Sequence, residues 1–121
     1  MNTKILGNQG EDLAVVYLRQ NGYRIHAQKY RSPIGEIDII AEKDNVLAFI
    51  EVKTRRSERY GAPAQAVNLH KQRKIILTAY YYVGQKNLEN KLCRFDVIEV
   101  YCPLHAALSI QHYTNAFEVQ S

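Results

Sequence analysis

Residues 36–54 read EIDIIAEKDNVLAFIEVKT. Two alternating runs, 36–42 and 46–54, flank Lys43-Asp44-Asn45, the pattern of two strands joined by a hairpin. If Asp44-Asn45 is a two-residue turn, Asp38 stands opposite Glu51 and Glu36 opposite Lys53. Opposed side chains on one face have Cβ atoms roughly 4.5–5.5 Å apart, and like charges placed so destabilise a hairpin. Two carboxylates held that close point to a positive charge between them. A hard cation such as Mg²⁺ suits, because it takes carboxylate oxygens and keeps waters for substrate. A three-residue loop would instead shift the register by one and send Asp38 and Glu51 to opposite faces.

On the second strand Leu47, Phe49, Glu51 and Lys53 share one face, and Val46, Ala48, Ile50 and Val52 the other. Both faces begin apolar, which predicts a central strand covered on both sides. A carboxylate and an ammonium are costly to bury there without partners. The bland alternative is that Glu51 and Lys53 emerge into water where the strand ends.

A chain of 121 residues, 46% hydrophobic and 23% charged, is expected to fold as a single domain over residues 1–121. No run approaches the ~18 apolar residues that suggest a membrane span, and the first residues lack the apolar core of a secretory signal. Cys93 and Cys102 have no metal or redox spacing, so a cytoplasmic location with reduced thiols is expected. The four histidines have no paired spacing for zinc.

The net charge of +4 is uneven: between positions 53 and 74 seven cations face the single acid Glu58. Lys53, Arg55, Arg56, Arg59, Lys71, Arg73 and Lys74 thus lie just downstream of the acidic pair. Such a patch neutralises phosphates and releases counterions, the sequence-independent part of nucleic-acid binding. A solvated basic loop is the competing explanation.

Along the chain, Asn8 and Glu11 form a capping-box-like pair, predicting that the first helix starts near Asn8 and stops at Asn21-Gly22. On spacing alone Glu11 is a capping residue. A strand over 23–31, a turn at Ser32-Pro33-Ile34-Gly35 and the hairpin follow. Asn68 can cap a second helix to about Val83, residues 92–101 alternate again, and 108–113 form a last edge strand. The predicted order is α-β-β-β-α-β-β, an α/β (mixed α+β) fold. Asp96 in an apolar strand has no role that the spacing explains.

Ile37-Asp38 followed by Glu51-Val52-Lys53 resembles the signature of the PD-(D/E)xK nuclease superfamily, with Ile in place of its Pro. The flanking segments Gly7-Asn8-Gln9-Gly10-Glu11, Gly35-Glu36, Thr54-Arg55, Ala66-Val67 and Lys71-Gln72 are similar to the YraN family, small bacterial proteins related to archaeal Holliday junction resolvases. The resemblance implies a restriction-endonuclease-like core, a mixed sheet flanked by helices. It implies that Asp38 and Glu51, with the Val52 carbonyl, bind Mg²⁺ or Mn²⁺. Lys53 would position or deprotonate the attacking water, and Glu11 would complete the acidic site. Glu36 has no counterpart in the signature.

The resulting expectation is a metal-dependent endonuclease acting on DNA, branched or otherwise structured, with Arg55, Arg56, Arg59, Lys71, Arg73 and Lys74 tracking the backbone. A two-fold homodimer suits a branched substrate. Two rivals stand: a nucleic-acid-binding module of the same fold that does not cut, and a protein-interaction subunit whose acidic pair is structural.

Overall fold

A computed structural model describes residues 3–56 and 67–119, with side chains from Gly7 onward in the first segment. The elements run α1 (Thr3–Gln20), β1 (Arg24–Arg31), β2 (Glu36–Lys43), β3 (Val46–Arg55), α2 (Leu69–Gln85), β4 (Leu92–Tyr101) and β5 (Ser109–Phe117). The five strands form one mixed sheet in the order β1-β2-β3-β4-β5. Among the described strands β3 and β4 pair in parallel and the other neighbours are antiparallel. A parallel pair needs a crossover, and α2 supplies it. The α/β class and element order are those expected, with β3 central.

Asp44 (φ 53°) and Asn45 (φ 65°) both lie in the left-handed region. That combination makes the tight hairpin turn whose twist matches its strands, and Asn and Asp tolerate it. The ladder runs from Lys43↔Val46 to Ile39↔Ile50, the register expected for a two-residue turn.

Beyond Ile39 the two strands part. Ile40 packs on the α2 side and Ile39 on the α1 side, as alternation requires, yet Ile37 also packs on the α2 side. The strand therefore rolls between Ile37 and Ile39, at Asp38. Glu36 consequently does not meet Lys53; it pairs with Arg31 at 3.3 Å on the exposed side of β1.

Each sheet face carries one apolar layer. Ile37, Ile40, Leu47, Phe49, Phe95 and Val97 pack with Ile75, Ile76, Ala79 and Tyr82 of α2. Ile39, Ala41, Ala48, Ile50, Ile98 and Val100 pack with Ala14, Val15 and Leu18 of α1. Burial of this surface is the main term holding the helices to the sheet.

Two boundaries differ from expectation. The first helix begins at Thr3, so Asn8 is inside it and no capping box forms there. Gly7, Asn8 and Gly10 are weak helix formers and imitate a boundary. Gly10 is there for space: a Cβ would overlap the Thr54 hydroxyl, so α1 lies directly on β3. The last strand runs to Phe117, four residues past the expected end, because Asn115 (φ 55°) and a register shift opposite Asp96 let pairing resume at Phe95↔Phe117.

Asp96 also finds its explanation here. Fully buried, it accepts two bonds from Arg94 (2.9 Å each), one from His112 Nε2 (2.8 Å) and one from the Asn115 amide (2.9 Å). Arg94 continues to the Tyr23 hydroxyl at 2.7 Å, and His112 Nδ1 lies 3.1 Å from that of Tyr17. Burial pushes the Asp96 pKa up, but the bonds from His112 and Arg94 outweigh it and hold the carboxyl below its ordinary range. The network ties β4 and β5 to α1 at a distance from the acidic pair. Among the described residues no helix is long and apolar enough to cross a membrane.

Candidate functional site

Where β2 and β3 part, a cleft of about 310 Å³ opens, lined by Gly7, Asn8, Glu11, Lys29, Asp38, Glu51, Val52, Lys53 and Lys71. It gathers Glu11, Asp38, Glu51, Val52 and Lys53, five positions that are dispersed over α1, β2 and β3 in sequence. Their convergence follows from the fold. The hairpin register brings Asp38 to Glu51, and the absent Cβ of Gly10 lets α1 carry the neighbouring Glu11 against the sheet end.

The acidic pair is tightly coupled. Asp38 Oδ2 accepts the Val52 amide at 2.8 Å, an amide released where the ladder stops. Burial first, then a hydrogen bond and the charge of Glu51, push the Asp38 pKa up to about 9, against the opposing Val52 amide. Asp38 therefore keeps its proton near neutrality and shares it with Glu51. Burial also penalises the Glu51 carboxylate, but Asp38 and Lys71 outweigh that and hold its pKa below the ordinary value. Like charges side by side are avoided by keeping one of them neutral.

Lysines complete the walls. Lys71 Nζ lies 2.8 Å from Glu51 Oε2. Its backbone is fixed by Asn68, whose side chain caps α2 by accepting the Lys71 amide at 2.9 Å. The helix N-terminus brings its own partial positive charge towards the acids. Burial lowers the Lys71 pKa, yet the bond to Glu51 and attraction from both acids leave it raised. Lys53, half-buried, is lowered by burial and by Lys71 and Arg55, with Glu51 opposing. Hence Lys71, rather than Lys53, neutralises Glu51.

Lys29 was not singled out by the sequence. Its ammonium binds Glu11 and, at 3.0 Å, Asn8 Oδ1, and the bond to Glu11 raises its pKa. Lys29 has φ 50°, in the left-handed region, at the point where β1 passes Asp38. A long side chain there costs of order 1–2 kcal/mol, and such strain gathers at functional sites. A lysine in a half-exposed strand gives no sequence signal of this. Glu99 likewise gives no signal in the sequence: it pairs in register with Lys53, is 2% exposed, and its Oε2 has no hydrogen-bond partner among the described residues.

The basic residues expected to form one track are spread over several places. Lys71 lines the cleft, and Lys74 lies beside the Gly35 turn at the mouth of β2. Arg55 ends β3 beside Tyr101. Arg56 lines a separate pocket with Gln9, Asp12 and Cys102. Arg73 lies on another side of α2, in a groove with Leu77, Tyr80 and Glu118. Arg59 falls outside the described residues.

Among the described residues no three His, Cys, Asp or Glu side chains converge as a ready metal-ligand set. Two adjoining carboxylates do suit a cation that takes one or two protein oxygens and draws the rest from water and phosphate, the habit of Mg²⁺. Glu11, bound to Lys29, stands at the margin.

Residues 10–100 match the model of "Uncharacterised protein family UPF0102". The chain belongs to this family. It is 43% identical over 118 residues to a UPF0102 protein of Caldicellulosiruptor saccharolyticus, covering 97% of this chain and all of that one. A UPF0102 protein of Clostridioides difficile is 45% identical over 117 residues, with 97% of this chain and 100% of the relative covered. One of Alkaliphilus metalliredigens is 45% identical over 115 residues, with 95% and 99% covered. The YraN resemblance of the motifs and this membership agree.

Proposed function

We propose that this UPF0102 protein is a metal-dependent endonuclease that hydrolyses phosphodiester bonds in branched or otherwise structured DNA. The observation that carries the reading is the single cleft in which Asp38, Glu51, Lys53, Glu11 and Lys71 meet. Asp38 and Glu51 would hold Mg²⁺ or Mn²⁺, with the Val52 carbonyl as a third oxygen. Bound there, such an ion would supply Lewis-acid chemistry, polarising a phosphoryl oxygen and making water more acidic.

The chain's own residues do the remainder. Lys53, whose pKa is lowered by burial, holds the attacking water and counters charge gathering on the phosphorane-like transition state. Water oxygen bonds to phosphorus as the P–O bond to the leaving oxygen breaks; the water gives up a proton to Lys53 in its neutral form, which passes it to solvent, and the leaving oxygen takes a proton from solvent. Lys71 and Lys29, one on each wall, bind the phosphates beside the scissile one. Lys74 extends this surface along α2.

The test is a panel of four-way, flapped, single-stranded and duplex DNA with Mg²⁺, Mn²⁺ or chelator. Cleavage of branched forms that chelator stops is the expected outcome. Salt-sensitive binding with no cleavage under any metal would favour a binding module of the same fold. Weak, salt-insensitive binding would favour a protein-interaction subunit.

A further inference from the structure

The acidic pair already has a cation, and the protein supplies it. Lys71 Nζ sits 2.8 Å from Glu51 Oε2; the Glu51 side chain is 7% exposed and that of Lys71 44%. Lys29 occupies Glu11 in the same way on the opposite wall. The cleft thus holds three acids and three lysines. A dication added between Asp38 and Glu51 would crowd Lys53 and Lys71 unless one of them moved or found another anion.

Lys71 is the one able to move. Lys53 is carried by a central strand held on one side by β4 up to Arg55↔Tyr101. Lys71 is on the first turn of α2, and its ammonium caps a flexible four-carbon stem with nearly half the side chain in solvent. Once displaced from Glu51, it needs a new counter-anion at the cleft mouth. A nucleic-acid phosphate is the anion that the proposed substrate brings.

We propose that Lys71 is a displaceable internal counter-cation, exchanging Glu51 for a substrate phosphate, so that metal and nucleic acid load the cleft together. The exchange rests on the metal-nuclease reading above. Each ligand pays for displacing Lys71 when it binds alone, and the second then binds without that cost. Linkage makes the coupling reciprocal: nucleic acid tightens metal by the same factor that metal tightens nucleic acid. Lys71 is then a substrate-binding residue that, until substrate arrives, keeps the site from filling with metal.

The test measures Mn²⁺ binding by the electron paramagnetic resonance signal of the free ion, with and without a hydrolysis-resistant phosphorothioate duplex. Wild type should bind Mn²⁺ weakly alone and about tenfold more tightly with the duplex. Lys71→Gln should bind Mn²⁺ more tightly alone, with the duplex adding about threefold or less. Lys71→Arg, which keeps the charge and tests for a general loss of fold, should retain most of the wild-type factor. An equal duplex effect in wild type and Lys71→Gln overturns the exchange, even if both bind metal. Absence of any Mn²⁺ binding that Glu51→Gln removes overturns the metal reading, and the exchange with it.

Discussion

Asp38→Asn should change how stability depends on pH, because Asp38 is the carboxyl whose proton the fold retains. Burial and Glu51 lift its pKa from the ordinary 3.8 to about 9. Over that interval the folded protein carries a proton at Asp38 that the unfolded chain has released. Its contribution to stability is complete below about pH 4, falls as pH rises, and is gone above about pH 9. One proton gives a slope of about 1.4 kcal/mol per pH unit. From about pH 5.5 to 7.5 wild type should therefore lose about 3 kcal/mol relative to Asp38→Asn. Asparagine has an oxygen to accept the Val52 amide and an amide to donate to Glu51, with no proton to lose. Groups that titrate alike in both proteins cancel in the difference. Urea unfolding followed by circular dichroism at several pH values gives both curves. Curves that run parallel would mean that Asp38 is an ordinary ionised carboxylate, and the shared-proton description would be wrong.

Lys53→Ala should abolish metal-dependent cleavage while DNA affinity, measured by fluorescence anisotropy, stays within a few fold, since Lys29, Lys71 and Lys74 carry the phosphate contacts. Lys29→Gly should remove the left-handed strain and leave the protein as stable as wild type, or up to about 1 kcal/mol more so, by urea midpoint. Lys29→Ala keeps the strain, so it should fall below the glycine variant. Lys74→Ala should flatten the slope of log affinity against log salt by about one unit, as loss of one phosphate contact does. Arg73→Ala, in the groove away from the cleft, should leave that slope unchanged. Light scattering should find two copies on a four-way junction, joined through β5, one of the two edge strands; a monomer on the junction would favour a flap or single-strand substrate.

The part of this site legible in sequence is the part set by local rules. Asp44-Asn45 dictates a two-residue turn, the turn dictates the register, and the register brings Asp38 to Glu51. Glu36 defeats the same rule because β2 rolls at Asp38, where side-chain chemistry, not ladder geometry, takes the Val52 amide. Glu11 looked like a cap because glycines near it imitate a helix boundary, and only the contact of Gly10 with Thr54 shows why they are inside the helix. Lys29 and Lys71 reach the cleft from β1 and α2, and Glu99 pairs with Lys53 from β4, through packing that no spacing in the chain encodes. Lys71 was visible as a positive charge, but its place on Glu51 depends on the crossover and the Asn68 cap.

If the Asp38–Glu51–Lys53 cleft hydrolyses DNA with a bound metal, then Glu51, Lys53 and the metal are each required for cleavage. The most direct measurement compares cleavage of a four-way junction by wild type, Glu51→Gln and Lys53→Ala, purified in parallel, with Mg²⁺ and with chelator. Wild type should cleave with Mg²⁺ and not with chelator, and neither variant should cleave under either condition. Cleavage by Glu51→Gln at the wild-type rate would place the activity outside this cleft and refute Asp38 and Glu51 as the metal site.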